Sequence, residues 1–169
     1  MTPAPIDAQL LANPADDFPL DFTQETADRV YAWVCGQPYL TQLVGHTLVR
    51  RYNQIVFEQG TVRASRFTPE DVDAVVNSPE FYEQGSYYFT GVWQQAEESG
   101  PRGQIALMRA LAAIDEPQAP VDLFARAGLN DVEGQASLDK LVKHDVVSSV
   151  DATVDFAVPL MRKWLRMKS

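Results

Sequence analysis

The chain has 169 residues, 46% of them hydrophobic, and its 23 acidic against 14 basic side chains give a net charge of −9. That length can bury a core in one domain or in two small ones, and the acidic balance argues against a protein that grips duplex nucleic acid unaided. No apolar run approaches the roughly 20 residues of a membrane span, the opening stretch MTPAPIDAQLLANPADDF lacks the basic and apolar regions of a secretory leader, and the single cysteine, Cys35, has no partner for an internal disulfide, so a reducing cytoplasm is the expected setting.

Residues 1–21, with Pro3, Pro5, Pro14 and Pro19 and four acids, read as a loose acidic lead-in. DFTQETADRVYAWVC then predicts a helix capped by Thr23 or Asp21, with Val30, Trp33 and Val34 on its apolar face. Cys35 falls in that stripe and reads as a buried, inert thiol. Gly36 suits the left-handed residue that ends such a helix, and Pro38 the first turn of the next. The second helix runs to about Tyr52 on a stripe of Leu40, Leu43, Val44, Thr47 and Leu48, with His46 on a partly buried face. NQIVFEQGTVRAS reads as a connector holding a short extended piece. TPEDVDAVV starts a further helix, with Thr68 as cap, Pro69 at the first position and acids in the first turn. Ser78-Pro79 is expected to end this unit, so residues 22–80 read as one helical subdomain, with the boundary near 78–85.

The second part, residues 81–169, opens with a helix around GSYYFTGVWQQAEES, whose apolar side is Tyr88, Phe89, Val92 and Trp93, broken by Ser99-Gly100-Pro101. QIALMRALAAI and VDLFARAG predict two helices, the second ending at Gly128. Asn130 caps a third, DVEGQASLDKLVKH, with Leu138, Leu141 and Val142 inward. DVVSSV and TVDFAV alternate as two strands about a turn at Asp151-Ala152, and Pro159 opens a last helix. Three helices followed by a two-stranded hairpin is the order of a winged helix-turn-helix, so the expected fold is mainly α: a helical bundle, then a winged helix with one β-hairpin.

The chemistry is mostly defined by what is missing. The only lysines, Lys140, Lys143, Lys163 and Lys168, do not follow a Gly in a GxxxxGK[ST] pattern, so the chain has no phosphate-cradling loop. LAAIDE (111–116) imitates a magnesium-holding strand but reads better as the end of an Ala/Leu-rich helix. His46 and His144 with Cys35 make no zinc spacing, and no base and orienting group accompany Cys35 as a nucleophile. Asp7, Asp16, Asp17 and Asp21 match no calcium loop. The chain alone is therefore expected to be non-catalytic, without metal or cofactor. Lys140, Lys143, Arg162, Lys163, Arg166 and Lys168 form a basic cluster on the third and last helices of the winged half. Asp131, Glu133 and Asp139 share the third helix, so a solvated or protein-contacting face is favoured over nucleic acid.

The ordered set VYAWVCGQPYLTQLVGHTLVRRYN, FTPEDVDAVV, YYFTGVWQQAEESGPRGQIALMRALAA and DFAVPLMRKWL resembles the C-terminal part of bacterial AAA-like ATPases of the signalling (STAND) and origin-recognition-like classes, over residues 22–167. In that family a GG-[HQ]-PYL-[LVT]-Q corner lies in the helical lid behind the nucleotide domain, and a winged helix follows. Carried over, the resemblance puts Gly36, Gln37, Pro38 and Tyr39 at the edge of a bound nucleotide, with Cys35 standing where the family has its first Gly. Gly lets a backbone approach closely and Pro offers a rigid apolar face. KHDVV (143–147) lies before the hairpin, where the family's phosphate-sensing histidine does not, and that role is not carried over. The resemblance implies that the phosphate loop, magnesium-binding acids and sensor arginines would lie before Met1. ATP or ADP would then be bound only with an upstream nucleotide-binding domain, in cis or in trans, and nucleotide state would pass to a protein partner away from any membrane. Two alternatives remain: a winged-helix DNA-binding regulator using Lys140, Lys143, Arg162 and Lys163, and a stand-alone protein-interaction adaptor.

Overall fold

Local sequence chemistry, a side-chain cap or a first-turn proline, starts six of the helices among the described residues. The computed structural model describes residues 21–168, which divide between Gly85 and Ser86 into two units. The first holds β1 (Asp21–Phe22), α1 (Gln24–Val34), α2 (Pro38–Asn53), β2 (Arg66–Phe67), α3 (Pro69–Val76) and α4 (Pro79–Gln84). The acidic lead-in, Asp7, Asp16 and Asp17 included, lies outside the described residues apart from Asp21.

Thr23 caps α1, its hydroxyl accepting the Thr26 N–H at 3.2 Å. The buried Thr26 hydroxyl in turn donates to the Phe67 carbonyl at 2.7 Å, tying α1 to β2. β1 and β2 pair in parallel, Asp21 opposite Arg66 and Phe22 opposite Phe67. Thr68 and Asp71 form a capping box on α3, each side chain taking the other's backbone N–H. Phe67 ties these pieces together, with the Phe22 ring 4.7 Å and the Tyr52 ring 5.9 Å away. In the same unit Val30, Val34, Leu40, Val44, Leu48, Val72 and Phe81 are fully buried, each contributing about 1.5–3 kcal/mol on removal from water.

Three expectations for this unit need correction. The unit closes at Gly85, within the expected 78–85 boundary but not at its Ser78-Pro79 break: Ser78 caps α4 and Pro79 is its first residue, where proline initiates rather than stops a helix. The connector after Asn53 opens as a π-helical turn over Gln54–Glu58 and holds no strand; the nearest extended pair, Arg66–Phe67 of β2, follows just after it. His46 is exposed rather than partly buried, because the stripe of α2 passes through Val44, Thr47 and Leu48 on another side.

The second unit holds α5 (Ser86–Glu98), α6 (Gln104–Ala112), α7 (Pro120–Ala127), α8 (Asp131–Lys143), β3 (Val147–Val150), β4 (Thr153–Phe156) and α9 (Leu160–Lys168). β3 and β4 pair antiparallel from Val147 opposite Phe156 to Val150 opposite Thr153. The two-residue turn puts Asp151 and Ala152 at φ 51° and 61°, both left-handed as the strand twist requires. Gln118 lies against the open edge of β4, trading two backbone hydrogen bonds with Val154 at 2.9 and 2.7 Å. α7 and α8 cross closely where Gly134 faces the Phe124 ring: a Cβ there would lie 2.4 Å from Phe124 Cγ. Phe89, Leu107, Met108, Leu111, Leu123, Leu141, Val154 and Leu160 form the core. Buried with them is Gln104, whose Nε2 donates to the Ser99 and Pro101 carbonyls at 2.6 and 3.3 Å. Val142, expected to face inward, is 39% exposed because Leu138 and Leu141 already fill the inward turn of α8.

The architecture is thus mainly helical with two short strand pairs. Among the described residues no helix is long and apolar enough to cross a membrane.

Candidate functional site

The corner between α1 and α2 is built by two successive left-handed residues. Cys35 has φ 48° and Gly36 φ 77°, and the Cys35 N–H closes α1 onto the Tyr31 carbonyl at 2.7 Å. The Gln37 N–H then bonds the Val34 carbonyl at 3.0 Å. Gln37 caps α2 with its own side chain, Oε1 accepting the Leu40 N–H at 2.8 Å, while its backbone carbonyl accepts the Thr41 hydroxyl at 2.9 Å. Pro38 is the first residue of α2. This wiring leaves Pro38 and Tyr39 exposed on a fixed backbone, with the Tyr39 hydroxyl 3.4 Å from the Gln84 carbonyl.

Cys35 is exposed, which overturns the expectation of a buried thiol. The last helical residue is Val34, and the left-handed turn at Cys35 carries its side chain off the stripe that buries Val30 and Val34. Cys35 therefore stands on the surface of the corner beside Gly36.

The basic cluster is divided rather than gathered. On α8, Lys143 is exposed and Lys140 half-buried. The same helix exposes Asp131, Glu133 and Asp139, with the Asp139 carboxylate accepting Gln135 Nε2 at 2.7 Å. On α9, Arg162 turns inward: its Nη2 lies 2.5 Å from Asp155 Oδ1, and its guanidinium lies over the Phe156 ring at 5.3 Å. Its side chain is only 12% exposed, so Arg162, a nucleic-acid contact in the alternative reading only, braces β4. Lys163 is half-buried. The LAAIDE acids hold no strand position. α6 ends at Ala112, and Asp115 pairs with Arg166 Nη1 at 2.8 Å.

A cleft of about 370 Å³ in the second unit was not legible in the sequence. It lies among α5, α6 and α9 and is lined by Trp93, Arg109, Ala112, Leu165, Arg166 and Lys168. The Lys168 ammonium lies 4.1 Å and the Arg109 guanidinium 5.2 Å from the Trp93 ring centroid. Arg166 donates from Nε to the Ala112 carbonyl at 2.6 Å, closing the C-terminal end of α6 from another helix. In the sequence Trp93 reads as core and Arg166 and Lys168 as a basic tail. Only the packing of three separate helices brings them to Arg109.

Among the described residues, no group of three or more His, Cys, Asp or Glu is arranged to hold a metal ion. No family model matches the chain, and no solved structure matches it. S-adenosylmethionine synthase of Haloquadratum walsbyi (strain DSM 16790 / HBSQ001) is 30% identical over 92 residues, which take in 54% of this chain and 23% of that enzyme. The chain spans less than a quarter of that relative's length, and the similarity assigns no family.

Proposed function

We propose that the chain is a non-catalytic regulatory region of an AAA-like, STAND-type P-loop ATPase, a helical lid followed by a winged helix. Its corner at Gly36, Gln37, Pro38 and Tyr39 meets the edge of an ATP or ADP held by a nucleotide-binding domain, in cis or in trans. The lid closes on the nucleotide, and the winged helix passes the nucleotide state to a protein partner in the cytoplasm. The observation that carries this reading is the corner. Two left-handed residues and a side-chain cap fix the backbone there, while Pro38 and Tyr39 stay uncovered. A rigid apolar face on a preorganised turn suits contact with a flat base or ribose at little ordering penalty.

The second unit supports the winged-helix part by its order: α6, α7 and α8, then the β3–β4 hairpin, with Gln118 on the edge of β4. The exposed acids of α8 favour a protein partner over a polyanion.

The test uses the protein that carries this chain, isolated natively from its source with any bound partners. Acid extraction should release ATP or ADP. Pro38→Ala should weaken nucleotide affinity about threefold to tenfold, roughly the 1 kcal/mol of one lost apolar contact, while helicity by circular dichroism stays unchanged. Absence of nucleotide, or unchanged affinity in Pro38→Ala, would sink the assignment. Low-salt DNA binding abolished by Lys140→Glu with Lys143→Glu would replace it with the DNA-binding reading.

A further inference from the structure

We infer that the cleft of the second unit is a binding site for a small organic anion, a carboxylate or phosphate carried on a flat apolar body. The site is independent of the corner and does not rest on the ATPase reading. Its walls divide by chemistry: Trp93, Ala112 and Leu165 are apolar, whereas Arg109, Arg166 and Lys168 are cationic. Arg166 is already committed to the Ala112 carbonyl and to Asp115, so it shapes the cleft. Arg109 and Lys168 make no ion pair with the described residues.

Two such cations over one ring are unexpected in a chain with 23 acidic side chains. Each stands in the last turn of its helix, where the carbonyl ends favour positive charge, and each gains from the Trp93 ring face. Neither gain neutralises the charge, and the cleft remains a positive recess with both cations open to solvent. An anion entering it would meet an ammonium and a guanidinium, the latter able to bond a carboxylate or phosphate with two N–H groups. Its apolar body would meet the narrow edge that the largely buried Leu165, Ala112 and Trp93 present to the cleft, and the aliphatic stems of Arg109 and Lys168. A volume of about 370 Å³ falls within the roughly 300–1,000 Å³ of small-molecule sites and favours a compact ligand over a folded partner.

The test is a nuclear magnetic resonance titration of the full chain, following the Trp93 indole N–H. The probes are AMP and benzoate, with adenosine and benzyl alcohol as their uncharged counterparts. Both anions should shift the Trp93 signal and saturate near millimolar concentration, and the neutral pair should not. Arg109→Gln and Lys168→Gln should each weaken binding about fivefold, the upper range for one exposed charge contact. Both side chains are exposed, so the variants should keep the wild-type spectrum elsewhere. Arg126→Gln, on the exposed side of α7, should leave binding unchanged. The inference is overturned if the neutral compounds shift Trp93 as the anions do, if neither anion shifts it, or if a variant carrying both Arg109→Gln and Lys168→Gln binds like the wild type. A response to hexaglutamate without a response to either small anion would also overturn it, in favour of an acidic protein segment.

Discussion

Arg63 grips Asp71 with both prongs of its guanidinium, Nη1 donating to Oδ1 at 2.9 Å and Nη2 to Oδ2 at 2.6 Å. The same Nη2 donates to the Arg66 carbonyl at 3.0 Å, and the guanidinium lies 5.1 Å from the Tyr52 ring centroid. Asp71 Oδ2 also accepts the Thr68 N–H at 2.9 Å. One carboxylate thus closes the capping box of α3 and anchors the connector that returns from α2. Burial pushes the Asp71 carboxyl up, but the Arg63 hydrogen bond and the Thr68 N–H outweigh it and hold the carboxyl below its ordinary range.

A carboxyl depressed in the folded state stabilises the fold above its unfolded pKa and loses that contribution as pH falls through the folded value. Asp71→Ala should destabilise the first unit by about 2–3 kcal/mol at neutral pH, combining a lost cap with lost charge-assisted hydrogen bonds. The gap between variant and wild type, measured by urea unfolding, should narrow below about pH 4. A gap that stays constant down to pH 2 would show that the charge is not what stabilises.

Gly134 and Gly91 should answer oppositely to alanine. Gly134→Ala would drive a Cβ to 2.4 Å from Cγ of the buried Phe124 ring, and overpacking of that kind costs about 1–3 kcal/mol. Gly91 lies in α5 with nothing within 4 Å of its added Cβ, so Gly91→Ala should gain about 0.5–1 kcal/mol from helix propensity. Thermal unfolding of both variants tests the α7–α8 crossing directly, and a stabilising Gly134→Ala would refute it.

Gln37 is an unusual cap and should be improvable. Gln37→Ala removes the acceptor for the Leu40 N–H and should cost about 1 kcal/mol. The first turn of α2 carries no acid, so Gln37→Asp should add roughly 0.5 kcal/mol through a better cap and the helix dipole. Equal stability of the two variants would mean that the Gln37 side chain does not cap in solution.

The hairpin turn carries alanine where glycine is preferred. Ala152 sits at φ 61°, a conformation that costs an L-residue about 1 kcal/mol or more. Ala152→Gly should therefore raise Tm, by a few degrees for about 0.5–1 kcal/mol gained in a domain of this size. A lowered Tm would argue that unfolded-state entropy outweighs relieved strain.

Features written within a few residues were legible in the sequence. Thr68-Pro69-Glu70-Asp71 announces a helix start in its own chemistry, and the capping box is there. Asp151-Ala152 reads as a turn between two strands, and the turn is there, although only β4 alternates in burial while β3 is exposed after Val147. What failed depended on distant neighbours or on a single dihedral. Cys35 fits the apolar period of α1 but lies one residue beyond its end. Arg162 reads as a surface cation because nothing nearby in sequence predicts that Asp155 on β4 will face it. The same limit hides the cleft, since Trp93, Arg109 and Lys168 come from three helices. The winged-helix and lid readings rest on element order and resemblance, which local chemistry does not test.

The connector between α2 and α3 leaves Phe57 76% and Val62 96% exposed. Beyond the π-helical turn the Thr61 N–H bonds back to the Ile55 carbonyl at 3.0 Å, and the chain is held to the rest of the unit again at Arg63, Ser65 and β2. The first unit is therefore divisible. A nick after Phe57 would leave α1 and α2 on one piece and α3 and α4 on the other. The pieces would stay joined by Thr26 to the Phe67 carbonyl, by Trp33 and Arg29 to Asp73, and by buried Val30, Leu48 and Val72. The unit should then reassemble from two separate peptides, its topology tolerating a new pair of termini at the connector without loss of its core.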